Sequence, residues 1–109
     1  MNRAKGDVAE KKAIEFLKAK EYEIIDQNFY SRFGEIDIIA QKESVLHFVE
    51  VKSALDYEVA IANITPKKLQ KIIKTAEVYM KKNGFDGSYT YDAVIVTPDE
   101  IELIEDITI

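Results

Sequence analysis

The chain has 109 residues, and its hydrophobic content of 47% is enough for one domain with a modest core. It contains no cysteine, which excludes disulfide frameworks, zinc–thiolate sites and cysteine nucleophiles and suits the reducing cytoplasm in which we expect the protein to work. The net charge of −5 argues at first against a nucleic-acid partner, and no segment predicts a membrane span or a signal peptide.

The first third of the chain predicts a helix, a strand and a loop. Residues 3–20 have the apolar spacing of an amphipathic helix, residues 22–29 that of a strand, and residues 30–34 form a loop that contains Arg32. Glu10 falls on the inward stripe of the helix, where a carboxylate needs a partner. Glu10 has two interpretations. It is exposed near the helix start and stabilised by the helix dipole, or it is part of a site.

Charged residues interrupt the next two predicted strands, residues 35–41 and 45–53. Asp37 lies in the run GEIDII, and Glu50 and Lys52 lie in the run FVEVK. Both runs are otherwise apolar and rich in β-branched residues, as buried strands are. Charges at such positions indicate a site.

We expect these strands to form a hairpin centred between Glu43 and Ser44, which places Asp37 directly opposite Glu50. The two Cβ atoms would then be roughly 4.5–5.5 Å apart, where like charges destabilise a sheet. A shared proton, an intervening basic side chain or a bound divalent cation would relieve the repulsion. Lys52 lies on the same face of the strand as Glu50 and can serve in part as this basic side chain. A bound divalent cation fits best.

The second half of the chain predicts a helix between two strands. Thr65 and Pro66 form a helix start, the helix ends near Gly84, and residues 89–96 form a strand. Residues 54–64 are uncertain, and residues 101–104 form a possible edge strand. The order α-β-β-β-α-β predicts a single α/β domain over residues 1–109, with a mixed central sheet flanked by helices.

Residues 66–82 carry six lysines and one glutamate, a local charge of +5 on an acidic chain. This basic helix is either an ordinary solvated face or a surface that contacts phosphates. The chain's one histidine, His47, is expected on a strand surface rather than as a ligand.

An acid on the first helix, an aspartate on a central strand and E-x-K on the next strand resemble the PD-(D/E)XK nuclease superfamily. More closely, the chain resembles the YraN-like family of bacterial predicted endonucleases, which are similar in fold to archaeal Holliday-junction resolvases. The chain departs from that family in having Ala54 where an arginine is common and Ala9 where a glycine is usual. The resemblance rests on Ala9-Glu10, Asn28, Arg32, GEIDII, FVEVK, TPKKLQKIIKTAEVYM and YDAVIV.

The resemblance implies a restriction-endonuclease-like fold and metal-dependent hydrolysis of phosphodiester bonds. Asp37 and Glu50 would bind Mg²⁺ or Mn²⁺ with the Val51 carbonyl, and the metal would polarise the scissile phosphate. Lys52 would orient the attacking water or offset charge on the phosphate. Glu10 would hold a second metal or a water.

The same resemblance implies contacts to the nucleic-acid backbone from Arg32, Lys68, Gln70 and Lys71, three of them at the start of the basic helix. The expected substrate is DNA rather than RNA, with branched repair or recombination DNA as one candidate, and a homodimer would suit a branched substrate. Two other functions stay open: a nucleic-acid-binding module without cleavage, and a protein-interaction domain that uses the acidic C-terminal surface.

Overall fold

The helices and strands follow the predicted order, with one added helix. A computed structural model describes residues 3–108, with side chains from residue 7 onward. The uncertain stretch contains the short helix α2, and the possible edge strand is present as β5. The elements are α1 (Arg3–Ala19), β1 (Glu23–Ser31), β2 (Gly34–Lys42), β3 (Val45–Ser53), α2 (Tyr57–Ala62), α3 (Pro66–Asn83), β4 (Ser88–Val96) and β5 (Ile101–Ile104).

The five strands form one mixed sheet in the order β1-β2-β3-β4-β5. The first three strands pair antiparallel through short turns, β3 and β4 pair parallel across α2 and α3, and β5 pairs antiparallel with β4. The predicted α/β domain with a mixed sheet is therefore confirmed. Within the described residues, no helix is long and apolar enough to cross a membrane.

Both faces of the sheet are covered, which explains why its central strands are apolar on both sides. On one face, α1 packs against Ile38 and Val49. On the other face, α3 packs against Ile39 and Phe48. All four of these strand side chains are fully buried.

The hairpin of β2 and β3 has the predicted register, with Ile38 paired to Val49 and Lys42 paired to Val45. Glu43 and Ser44 form its turn with φ angles of 53° and 67°. Positive φ at both central positions is the geometry that suits a two-residue hairpin turn, although it is unfavourable for non-glycine residues. The register persists because a slip by one residue would exchange the side chains between the two packed faces.

The predicted loop over residues 30–34 is wrong in extent, because β1 continues to Ser31, which pairs with Gly34. Only Arg32 and Phe33 form the turn. The Ser31 hydroxyl accepts a hydrogen bond from the Phe33 N–H at 3.0 Å and lies 2.9 Å from the buried Thr75 hydroxyl of α3. These bonds hold the turn against α3.

The start and end of α3 are as predicted. The Thr65 hydroxyl accepts a hydrogen bond from the Lys68 N–H, and Pro66 occupies the first turn, where a missing N–H costs nothing. Gly84 ends the helix in the left-handed conformation with φ of 63°.

The expectation that His47 lies on a strand surface is wrong. His47 is buried, with its Nδ1 atom 2.5 Å from Asp92 Oδ2 and its ring in a T-shaped contact with the Tyr22 ring. Asp92 is fully buried and also accepts a hydrogen bond from the Asp106 N–H at 2.9 Å. This carboxylate therefore ties β3 to β4 and fastens the C-terminal segment to the sheet.

We expect Asp92→Ala to reduce the free energy of unfolding by about 3 kcal/mol or more, because it leaves the buried His47 and the Asp106 N–H without their acceptor. Urea unfolding measures the loss, and hydrogen exchange should show faster exchange of the Asp106 amide. Asp86→Ala, at an exposed loop position, is the matched control. A loss no greater than that of the control would contradict this role for Asp92.

Candidate metal and nucleic-acid site

The candidate site lies where β2 separates from β3. The ladder between these strands ends at the pair Ile38–Val49, whereas β3 continues to Ser53 beside β4. On the opened side, the Val51 N–H donates a hydrogen bond to Asp37 Oδ2 at 2.8 Å. A side chain thus takes the position that a strand carbonyl would fill.

A local irregularity in β1 lies next to this opening. Asn28 falls between the paired residues Gln27 and Phe29, across from Asp37, and adopts a φ of 51°. Asparagine tolerates this left-handed conformation better than most residues. The irregularity places the Asn28 side chain among the acids of the site.

Asp37 and Glu50 face each other across the opening, as the predicted register requires. The Glu50 carboxyl lies within hydrogen-bonding reach of Asp37. Burial, followed by the charge of Glu50, raises the pKa of Asp37 from 3.8 to about 8, although the Val51 N–H opposes the shift. Two carboxyls in this state can share a proton or bind a cation.

Lysines border the carboxyl pair on the side of α3. Lys52 Nζ lies 3.4 Å from Glu50 Oε2, as expected for neighbours on one face of a strand. Lys68, at the start of α3, lies close enough to Lys52 that hydrogen bonding and the Lys52 charge lower the pKa of Lys68. The site therefore places two ammonium groups next to two carboxyls.

Glu10 belongs to a neighbouring cluster rather than to the carboxyl pair itself. The Asn28 amide donates hydrogen bonds to Glu10 Oε1 at 3.1 Å and to Glu35 Oε2 at 2.8 Å. Among the residues that the structure describes, no three acids or histidines are placed to hold one metal ion together. The expected role of Glu10 as a ligand therefore stays a prediction. Glu35, whose charge acts on Asp37, was missed, although it alternates with Asp37 along β2.

The donor set nevertheless fits a hard divalent cation. Asp37 and Glu50 supply carboxylate oxygens, and the Val51 carbonyl points to the same side of β3 as the Val51 N–H that reaches Asp37. Oxygen donors of this kind suit Mg²⁺ and Mn²⁺, which also keep several waters as ligands. These three residues would hold such an ion.

A second feature is a cavity of about 430 Å³ between the β1–β2 turn and α3, which we call the basic pocket. Three of the predicted nucleic-acid contacts, Arg32, Gln70 and Lys71, line it, whereas Lys68 lies at the carboxyl pair. Sequence reasoning missed Phe33 and left Lys67 and Lys74 open as a solvated stripe. The sequence did carry a signal for the two lysines. Lys67 and Lys74 lie three and four residues from Gln70 and Lys71, a spacing that places all four side chains on one helix face. The lining residues are Arg32, Phe33, Lys67, Gln70, Lys71 and Lys74.

The raised pKa of Asp37 predicts how stability depends on pH without metal. Between pH 3.8 and about 8 the folded state binds more protons at Asp37 than the unfolded chain does, so this carboxyl destabilises the fold as pH rises. Asp37→Asn removes the charge but keeps an acceptor for the Val51 N–H. In EDTA at pH 8 we expect it to be more stable than the wild type by about 1 kcal/mol or more, and the gain should shrink towards pH 4.

Urea unfolding of both proteins at several pH values measures this difference. Asp86→Asn, at an exposed position, controls for the general effect of removing a negative charge. A stability difference that does not change with pH would show that Asp37 is an ordinary carboxylate.

The match to known proteins covers this site. A model of the family described as "Uncharacterised protein family UPF0102" matches residues 9–96, from α1 to the end of β4. A UPF0102 protein of Sulfurimonas denitrificans is 63% identical over 109 residues, with 100% of each chain covered. One from Aliarcobacter butzleri is 54% identical with 99% of each chain covered, and one from Helicobacter pylori is 49% identical with 98% of this chain and 93% of the relative covered. The chain belongs to the UPF0102 family.

Proposed function

We propose that this protein is a divalent-metal-dependent endonuclease that hydrolyses phosphodiester bonds, with DNA as the preferred substrate. The observation that carries the proposal is the pair Asp37 and Glu50, brought together where β2 leaves β3. Neither a folding role nor a simple binding role calls for two facing carboxyls, one of which has its pKa raised by burial and by the charge of the other. A cation between them removes that repulsion.

In this proposal Asp37, Glu50 and the Val51 carbonyl hold Mg²⁺ or Mn²⁺. When bound, the ion supplies a Lewis acid that polarises the phosphate and lowers the pKa of water. Lys52 would orient the attacking water or offset the charge that develops on the phosphate, and Glu50 Oε2, 3.4 Å from Lys52 Nζ, orients this side chain. Lys68 adds a second cation for a phosphate oxygen.

Asn28 has a positioning role in this proposal. Its amide joins Glu10 of α1 to Glu35 of β2 and thus fixes the helix against the strand that carries Asp37. Glu10 and Glu35 add negative charge near the cation, which favours its binding. Glu10 would hold a second ion or a water only if substrate binding brings it closer to Asp37.

The same residues support membership in the PD-(D/E)XK superfamily. Asp37 lies on one strand, and Glu50 and Lys52 lie two residues apart on the next, in a mixed sheet covered by helices on both faces. We also propose a cytoplasmic location, which the cysteine-free composition favours.

A nucleic-acid-binding module without cleavage is the second candidate. Two observations favour it: Glu10 does not join Asp37 and Glu50 in one metal-binding cluster of the described residues, and the basic pocket could bind phosphates unaided. Cleavage assays separate the two functions.

We expect purified protein with Mn²⁺ or Mg²⁺ to cut at least one substrate in a panel of single-stranded, duplex, flapped and four-way DNA and RNA. Asp37→Asn and Glu50→Gln, which keep the side-chain shapes, should reduce cleavage to the level of the EDTA control because they remove the ligand charges. Lys52→Met should also abolish cleavage, but it should retain metal binding. Asp86→Asn is the control variant.

Thermal unfolding reports metal binding independently of cleavage. Mn²⁺ at ten times its dissociation constant should stabilise the wild type by about 1.4 kcal/mol and should stabilise Glu50→Gln much less. If Mn²⁺ stabilises the wild type while every substrate stays intact, the protein is a nucleic-acid-binding module without cleavage and the nuclease proposal is wrong. If Mn²⁺ stabilises both proteins equally, Glu50 is not a ligand.

The start of α3 gives a further prediction. Replacing both Lys68 and Lys71 with alanine should weaken binding to all sequences alike and reduce the slope of log affinity against log salt by about one unit for each phosphate that a lysine no longer neutralises. Fluorescence anisotropy at several salt concentrations measures the slope. The double replacement of Lys81 and Lys82, exposed in the last turn of α3, removes the same charge away from the site. If the two double variants have equal effects, Lys68 and Lys71 do not contact phosphates and belong to an ordinary solvated helix face.

A further inference from the structure

Phe33 is a half-buried aromatic side chain in the lining of the basic pocket, with two cations close to its ring. The Arg32 guanidinium carbon lies 4.9 Å from the centre of the Phe33 ring, and Lys74 Nζ lies 5.5 Å from it. Hydrogen bonds from the Phe33 N–H to Ser31 and between the Ser31 and Thr75 hydroxyls hold the turn in place. The ring is therefore presented on a fixed support.

Phe33 differs from the other cation-contacted rings of the described residues in that the core does not use it. Phe16 and Tyr22 pack into the core on the α1 face, and Phe29 packs into the core on the α3 face. Phe33 belongs to none of the core clusters formed by the described residues. Its half-buried ring thus lies in the lining of the basic pocket and outside the core.

The pocket around Phe33 matches a nucleotide in charge and size. Its lining carries four cationic side chains, one neutral amide and this ring, and no acid. A volume of about 430 Å³ lies within the usual range of small-molecule sites. Lysine and arginine suit phosphate oxygens, the Gln70 amide suits the polar edge of a base, and an aromatic ring flanked by cations suits the base face.

The basic pocket also continues the line of charge that begins at the carboxyl pair. Lys52 lies beside Lys68, and the charge of Lys71 acts on Lys68 in turn. From Lys68 to Lys74 the helix rises about 9 Å. A strand whose phosphate lies at Lys52 would therefore reach the pocket within a few nucleotides.

We infer that the basic pocket binds an unpaired nucleotide, with the base stacked on Phe33 and its phosphate held by Arg32 and Lys71. A base inside a duplex is already stacked on its neighbours and does not offer its face to Phe33. The preferred substrate therefore carries a single-stranded segment next to the phosphate that is cut. This inference rests on nucleic-acid binding in the proposed function and does not require cleavage.

The test compares a single-stranded oligonucleotide with a hairpin duplex by fluorescence anisotropy in EDTA. Because stacking on one aromatic side chain is worth a few kcal/mol, Phe33→Leu should weaken single-strand binding about 5- to 150-fold and change duplex binding less than about twofold. The salt slope should not change, since no charge is removed. Tyr89→Leu, at an exposed ring near the start of β4, is the control and should change neither affinity.

A second variant keeps an aromatic ring and reports the stack directly. The chain has no tryptophan, so Phe33→Trp introduces a single indole. Its fluorescence should be quenched by the single strand but not by the duplex, and that of Tyr89→Trp should be quenched by neither.

The other outcomes overturn the inference in distinguishable ways. Equal loss of single-strand and duplex binding in Phe33→Leu, no loss of either, or an unquenched indole would show that Phe33 does not stack on a base, while leaving the proposed nuclease intact. Absence of binding of the wild type to either oligonucleotide would overturn both the inference and nucleic acid as the substrate. Binding without cleavage would leave the inference standing.

Discussion

Two acidic side chains held face to face in a half-buried opening of the sheet are the constraint that shapes the rest of the site. Asp37 and Glu50 meet because the β2–β3 hairpin keeps one register up to Ile38 and Val49 and then opens. Burial and then the charge of Glu50 raise the pKa of Asp37, and the Val51 N–H donates its hydrogen bond to the Asp37 side chain instead of to a strand carbonyl. An arrangement that destabilises the unliganded protein is typical of a functional site.

The distribution of charge explains how an acidic protein can still bind a polyanion. The total charge is −5, yet the basic pocket carries four cationic side chains, and Lys52 and Lys68 carry two more beside the carboxyls. With a Debye length of about 8 Å at physiological salt, a phosphate near these lysines responds mainly to the charges around it rather than to the total charge of the chain. The basic surface is also held in a fixed position, because the hydrogen bond between the hydroxyls of Ser31 and Thr75 fastens the β1–β2 turn to α3.

Much of the fold and part of the site could be predicted from the sequence, and the failures have physical causes. The hairpin register was predictable because a slip would exchange two buried faces, and the helix start at Thr65 because capping is a local interaction. The burial of His47 could not be predicted, because both faces of β3 are covered and the strand has no polar face that would mark a solvent side. The contacts of Glu10 and the position of Phe33 depend on how α1 and α3 pack on the sheet, which no local pattern encodes.

The most direct measurement is a crystal structure of the protein soaked in Mn²⁺, with an anomalous difference map that locates the ion. We expect a peak between Asp37 and Glu50, about 2.1 Å from an oxygen of each carboxyl and from the Val51 carbonyl, with waters completing the coordination. A map with no peak at that position, in which the two carboxyls remain in contact and share a proton, would contradict the claim that this pair exists to hold a cation.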